Sequence, residues 1–275
     1  MLISISIYIH FYKGETNLQV FLSAAPQDLQ AASQWGLPLA HAAYRIGANS
    51  TLLRQNLLLQ TQGGLLSVCD TDAPFIDDPD AVCAAVLREC RRRNYSGVLL
   101  DFEAPLRQDR LTFAKELGAM LASGKKALYL PETYALAGAG LILINTAVSG
   151  GSFTQYLQES AHRYGSAARL ALDIERLRMD FTLPAPSGQG KALSPAEFQG
   201  LMEREAPSVF FSPDLCARYF TYTQGKETHF VLFDDAETLQ EKLRIGKQLG
   251  FSTAFFMWPE VSDLPFYTEN RKNRQ

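Results

Sequence analysis

Short, continuously apolar runs alternate along the chain with stretches in which apolar residues recur every three to four positions. The runs are "LQVFLSA" (18–24), "LPLAHAAY" (37–44), "GLLSVCD" (64–70), "GVLLDFE" (97–103), "ALYLPE" (127–132), "LILINTAV" (141–148), "ARLALDIE" (168–175) and "TAFFMW" (253–258). Strands covered on both faces carry no polar side, so these runs predict eight parallel strands packed under helices. Helical spacing appears in "DAVCAAVLRECRRR" (80–93), "RLTFAKELGAMLAS" (110–123), "SFTQYLQESAHRYG" (152–165) and "DAETLQEKLRIGKQLG" (235–250). In the last of these, Leu239, Leu243, Ile245 and Leu249 share one side and Gly250 supplies the stop.

Eight strands alternating with helices over this length predict an α/β fold, a (β/α)8 TIM barrel, rather than an open doubly wound sheet. No GxGxxG or GxxxxGK[ST] follows any strand, which argues against nucleotide binding. The alternation breaks between residues 176 and 234, where "ARYFTYTQGKETHFVLF" reads as a hairpin with its turn near Gln224 and Gly225. The expectation is one barrel domain spanning 1–275, with 176–234 as an insertion between strands seven and eight. Residues 1–16 exceed what the barrel needs and are expected to add a strand or hairpin at its rim.

Composition narrows the function. The 275 residues are 47% hydrophobic, enough for a large core, and the formal net charge of −3 arises without long runs of one sign. A broad attraction to nucleic acid or to an anionic membrane is therefore not encoded. The densest basic cluster, "RECRRR" at 88–93, fits the solvated last turn of a helix. Cys69, Cys83, Cys90 and Cys216 form no CxxC pair, so zinc is not expected, and Cys83 and Cys90 are spaced as buried neighbours on one helix. No cofactor motif is present. The N-terminal "MLISISIYIHFYKGE" lacks a basic leader and is too short to span a bilayer, which predicts cytoplasmic synthesis without a signal peptide. Nothing in the sequence fixes an oligomeric state.

In a barrel of this kind, chemistry sits at the C-terminal ends of the strands. Those ends are acidic: Asp70 and Asp72 after strand three, Asp101 and Glu103 on strand four, Glu132 after strand five, Asp173 and Glu175 on strand seven. Side chains repeat every second residue along a strand, so Asp101 and Glu103 share the inward face and Phe102 points to the helices. Two carboxyl groups held this close are expected to push one pKa upward, leaving a protonated acid near neutral pH. A hard cation held by Asp70, Asp101, Glu103, Glu132 and Asp173 is the other use such residues allow.

"YSGVLLDFE" resembles the strand-four signature of glycoside hydrolase family 18, the chitinase-like barrels, in which a glycine opens the strand and Asp-x-Glu ends it. The stretch "ARYFTYTQGKETHFVLFDDAETLQEKLRIGKQLGFSTAFFMW" is similar to that family's hairpin, penultimate helix and closing tryptophan strand. "LAHAAYRIGANSTL" resembles strand two of the branch holding the spore-cortex peptidoglycan N-acetylglucosaminidases and spore-germination proteins. The resemblance covers most of residues 18–262. It implies a substrate-assisted retaining glycosidase acting on an N-acetylglucosamine-containing glycan, with peptidoglycan or spore cortex ahead of chitin, and a spore-associated role. Carried onto matching positions, Glu103 is the acid and base and Asp101 orients the substrate's acetamido group. Trp258 is the floor beneath the sugar, and Asn145, Tyr44, Asp70, Glu132 and Glu175 are further substrate-binding candidates. Three positions depart from the family pattern. Leu99 stands where an acid is usual, "LINTAVSGG" lacks the strand-six Met-x-Tyr-Asp, and "SVCD" replaces Ser-x-Gly-Gly on strand three. These departures give the alternative of a carbohydrate-binding barrel without turnover.

Overall fold

Eight parallel strands close on themselves in a computed structural model of the chain, which describes residues 9–10, 18–55, 62–71, 73–185, 188–264 and 266–267. In order, barrel strands one to eight are Gln19–Ala24, Leu39–Gly47, Leu65–Cys69, Gly97–Asp101, Ala127–Pro131, Leu141–Asn145, Leu170–Ile174 and Thr253–Met257. Closure is made where strand eight pairs with strand one, Phe255 opposite Phe21, and strand one with strand two, Leu22 opposite Leu39.

The interior is plugged by one residue from every strand: Phe21, Ala40, Leu65, Leu99, Tyr129, Leu143, Ala171 and Phe255. Rings of Phe21, Tyr129 and Phe255 lie 4.9 to 6.1 Å apart across the axis, and small Ala40 and Ala171 make room for them. The plug is a packed core in which each large side chain contributes roughly 1.5–3 kcal/mol of burial. It also sets the parity of each strand, because the residue two positions further on faces the barrel mouth. Gly97 opens strand four for a steric reason: a Cβ there would sit 2.4 Å from the Ala127 carbonyl oxygen of strand five.

Helices cover the outside. Pro79–Arg92 starts at Asp78, whose carboxylate accepts the Ala81 N–H at 3.0 Å. Cys83 and Cys90 are fully buried in the same stripe as Val82 and Val86, and the basic cluster ends exposed at Arg91 and Arg92. Gln108–Ser123 follows strand four and Phe153–Arg163 follows strand six. Ala236–Gln248, opened by an Asp235–Thr238 capping box, precedes strand eight. Among the described residues, strands two and five are followed by short 3-10 turns, Ala48–Ser50 and Glu132–Ala137, in place of full helices.

Between strand seven and helix Ala236–Gln248 the chain builds a second, five-stranded antiparallel sheet. Its order is Lys191–Ala192, Arg178–Leu183, Glu227–Phe233, Ala217–Gln224, Phe210–Ser212. The central pair turns at Gly225 and Lys226. Helix Pro195–Glu205 covers one face through Leu201, against Leu193, Phe220, Val231 and Phe233. The expected N-terminal addition lies outside the described residues except for Ile9–His10, which pairs in parallel with Phe266–Tyr267. No helix among the described residues is long and apolar enough to cross a membrane.

Candidate active site

Two positions above the plug, the strands present Asp101, Pro131, Asn145, Asp173 and Met257 toward the barrel mouth. One pair higher, Glu103 and Glu175 follow Asp101 and Asp173 in the matching segments Leu100-Asp101-Phe102-Glu103 and Leu172-Asp173-Ile174-Glu175. A cavity of about 380 Å³ opens here, lined by both acidic pairs together with Pro131, Leu143, Met257, Pro259 and Glu260. Glu175 and Glu260 also line an adjoining groove of about 540 Å³, walled by Arg178, Met179 and Leu193 of the insertion. The groove leads from the insertion onto the acidic mouth.

The electrostatics of the cavity follow from its lining. Among the described residues no Lys, Arg or His lines it, and no hydrogen bond or ion pair holds the carboxyl group of Asp101 or Asp173. Burial, then the charges of Glu103 and Asp70, push Asp101 up to about 6. Burial, then Glu175 and Asp101, push Asp173 up to about 7. Glu103 and Glu175 stand exposed at the rim. The raised acid expected of the strand-four pair is thus its deeper member.

Around this centre, hydrogen bonds and ion pairs hold the supporting groups. Asp70 accepts the Glu103 N–H through Oδ1 at 3.0 Å, and its Oδ2 meets Arg110 Nε at 3.0 Å, with both side chains buried. Asn145 donates to Glu175 through Nδ2 and accepts the Ala147 N–H at 2.7 Å. Arg178 holds Glu260 at 2.7 Å, and Arg176 reaches Asp263 at 2.6 Å. Beneath the loops after strands six and seven, Lys242 donates to Asp234 at 2.7 Å and to the Thr146 carbonyl at 2.9 Å. Asp234 in turn accepts the Leu177 N–H at 2.9 Å. Both Lys242 and Asp234 are completely buried.

Of the residues singled out in the sequence, Asp101, Glu103, Asn145 and Glu175 come together at the mouth, whereas four others are corrected. Tyr44 faces the helices: strand two carries one extra residue between His41 and Tyr44, which flips the parity of everything after it. Its hydroxyl donates to Glu89 at 3.0 Å and lies 3.3 Å from that of Tyr95. Trp258 is one residue out of phase with inward-facing Phe255 and Met257. It packs edge-on against Trp35 at 5.4 Å, and Met257 lines the cavity in its place. Glu132 points to helix Phe153–Arg163, accepting from the Tyr164 hydroxyl at 2.7 Å and from Arg163 at 3.0 Å. Asp70 is committed to Arg110 and the Glu103 backbone, so it shapes the site from behind. Asp72 lies outside the described residues. Leu99, where the family pattern has an acid, is part of the apolar plug. Tyr134 packs against Phe102, and Tyr219 and Tyr222 lie within the insertion. Among the described residues no group of three or more His, Cys, Asp or Glu is arranged to hold a metal ion.

Sequence reasoning passed over Met257 and Glu260 and placed Asp173 only in a general inventory of acidic strand ends. Repetition of Leu-Asp-x-Glu on strands four and seven was the signal that could have raised Asp173 to equal rank with Asp101. Glu260 had no comparable signal, since its placement depends on the turn Trp258–Val261 after strand eight.

A closed eight-stranded parallel barrel with helices between its strands, carrying an insertion before the last helix and strand, is a (β/α)8 barrel. Solved structures share it at low identity. The spore cortex-lytic enzyme SleL of Bacillus megaterium QM B1551 superposes with a TM-score of 0.63 and 17% identity, covering 92% of this chain and 73% of that one. The chitinase of Chromobacterium violaceum gives 0.61 and 16%, over 88% and 95%. The family GH18 chitinase of Cycas revoluta, solved in complex with (GlcNAc)3, gives 0.60 and 14%, over 89% and 96%. No family model matches the chain, and no curated protein matches its sequence.

Proposed function

We propose that the protein hydrolyses a glycan containing N-acetylglucosamine, with peptidoglycan or spore cortex favoured over chitin, by a substrate-assisted retaining mechanism. The observation that carries this reading is that Asp101, at the end of strand four, and Glu103, two residues on, line one cavity, which shares Glu175 and Glu260 with an adjoining groove. Glu103, exposed at the rim, is within the solvent-facing layer where a glycosidic oxygen would pass. Its carboxyl proton goes to that oxygen as the C1–O bond breaks, while the sugar's own acetamido carbonyl oxygen bonds to C1. Asp101, deeper and without a protein partner, is free to accept the acetamido N–H and so to strengthen that oxygen as a nucleophile. Glu103, now a carboxylate, takes a proton from water as the water oxygen adds to C1, which reopens the cyclic intermediate with retained configuration. The cavity's volume falls within the range of small-ligand sites, consistent with one sugar ring at the reacting position.

The test compares oligosaccharides of N-acetylglucosamine with those of free glucosamine. The mechanism predicts release of β-configured product from the N-acetylated series alone, because glucosamine lacks the internal nucleophile. Equal cleavage of both series would contradict it. A second reading, a sugar-binding barrel without turnover, is favoured by one observation: among the described residues, neither tyrosine nor tryptophan lines the cavity. Calorimetric binding of the same oligosaccharides with no product after prolonged incubation would select it.

A further inference from the structure

The geometry points to Asp173 as a substrate-contacting group of the same cavity, presenting an O–H donor to a bound sugar while Asp101 presents an acceptor. The inference rests on the glycosidase reading only for the identity of the ligand as an amide-bearing sugar. Strand seven repeats the Leu-Asp-x-Glu ending of strand four, and both aspartates stand two positions above the apolar plug, one from Leu99 and one from Ala171. Both line one cavity, and among the described residues neither carboxyl group has a hydrogen-bond or ion-pair partner. A partly buried polar group without a partner is costly, and the cost is relieved when a ligand supplies the missing hydrogen bond.

Every charged group that faces Asp173 is acidic. Glu175 lies on its own strand, Asp101 and Glu103 come from strand four, and Glu260 from the turn after strand eight. Asn145, in register on strand six, already gives its amide to Glu175. The nearest guanidinium groups, those of Arg176 and Arg178, line the adjoining groove and are engaged by Asp263 and Glu260. With no cation to stabilise a second negative charge, one of the two aspartates keeps its proton. We assign that proton to Asp173, which burial and then the charges of Glu175 and Asp101 push up to about 7. A neutral carboxyl group offers an O–H to a carbonyl or hydroxyl oxygen of the sugar, and an ionised Asp101 beside it accepts an N–H. The two together read both ends of an amide. On deprotonation the donor is lost and a second negative charge enters the cavity, so binding weakens as pH rises through about 7.

Asparagine at 173 keeps a donor that cannot titrate, and alanine removes it. The expected result for Asp173→Asn is an alkaline fall of activity displaced upward by at least one pH unit relative to wild type. Asp173→Ala is expected to lose at least tenfold below about pH 7, in line with the loss of one preorganised donor, with the gap to wild type closing as pH rises through 7 and the wild-type donor is itself lost. A second measurement does not depend on turnover: calorimetry of an N-acetylglucosamine oligosaccharide with Glu103→Gln at pH 8, in buffers of different ionisation heat. It should show proton uptake on binding that vanishes when Asp173→Asn is added. An unchanged alkaline limb in Asp173→Asn, full activity in Asp173→Ala below about pH 7, or no proton uptake would overturn the inference. Failure of the parent reading looks different, since then wild type and Glu103→Gln release no product alike.

Discussion

Asp70 lies behind the strand-four carboxyl pair: one carboxylate oxygen accepts the Glu103 N–H and the other meets buried Arg110. Under the proposed function, its contribution is the position of Glu103. Asp70→Asn is expected to lower kcat roughly tenfold or more with KM little changed, because a misplaced acid costs most in the transition state. Asp70→Ala leaves the buried guanidinium with only Asp109 at 3.8 Å and the Ala73 carbonyl at 3.0 Å, and urea unfolding should register a loss of about 3 kcal/mol. A change in KM alone would restore Asp70 to the substrate-binding set. At this scale the sequence was readable where strand parity alone decided the outcome. Period two put Asp101 and Glu103 on one face, whereas Glu175 was named only as an acidic strand end. Tyr44 was misjudged because a single inserted residue in strand two leaves no mark in an alternation of Ala, His and Tyr. Trp258 was misjudged by one position, since "AFFMW" is apolar on both faces and its phase is set only when Phe255 enters the plug.

A second buried ion pair, Lys242–Asp234, fastens together elements that carry the site. Lys242 on helix Ala236–Gln248 reaches the Thr146 carbonyl at the end of strand six, and Asp234 holds the Leu177 N–H after strand seven. Asn145 and Glu175 sit one and two residues from these anchor points. Lys242→Ala is expected to cost about 3–5 kcal/mol by strand-end loosening and an unpaired Asp234. Replacing both partners with apolar residues of like size, Lys242→Met with Asp234→Leu, should recover much of that stability, and thermal unfolding of the two variants separates the cases. Equal destabilisation by both would show that the hydrogen bonds to Thr146 and Leu177 matter more than the charge. Elements were the most legible level of the chain. Continuous apolar runs bounded by acids and glycines marked all eight barrel strands, and the capped amphipathic stretches marked the long helices. The insertion was less legible: aromatic-rich arms signalled its central pair, but Arg178–Leu183, Lys191–Ala192 and Phe210–Ser212 are short or mixed in polarity and become strands only by pairing with that core.

For the whole molecule, the acidic mouth exchanges stability for a prepared site. Asp101 and Asp173 titrate at about 6 and about 7 in the folded chain, above the ordinary aspartate value of 3.8. Below about pH 3 both are protonated, folded or unfolded, and the molecule carries no penalty from them. As pH rises toward 7 the unfolded chain releases these protons first, so stability falls, by up to about 3–4 kcal/mol for each group before solvent screening reduces it. Denaturant unfolding from pH 4 to 8 should show this decline, and Asp101→Asn with Asp173→Asn should flatten it and raise the midpoint at pH 8. A wild-type profile that rises across that range would contradict the proposed strain. The central claim is that the strand-four pair performs hydrolysis. Its most direct measurement is the release of reducing ends from N-acetylglucosamine oligosaccharides and cortex peptidoglycan by wild type and by Glu103→Gln. The account predicts release by wild type and a loss of at least a hundredfold in Glu103→Gln with the fold intact. Equal release by both, or release by neither, would contradict it.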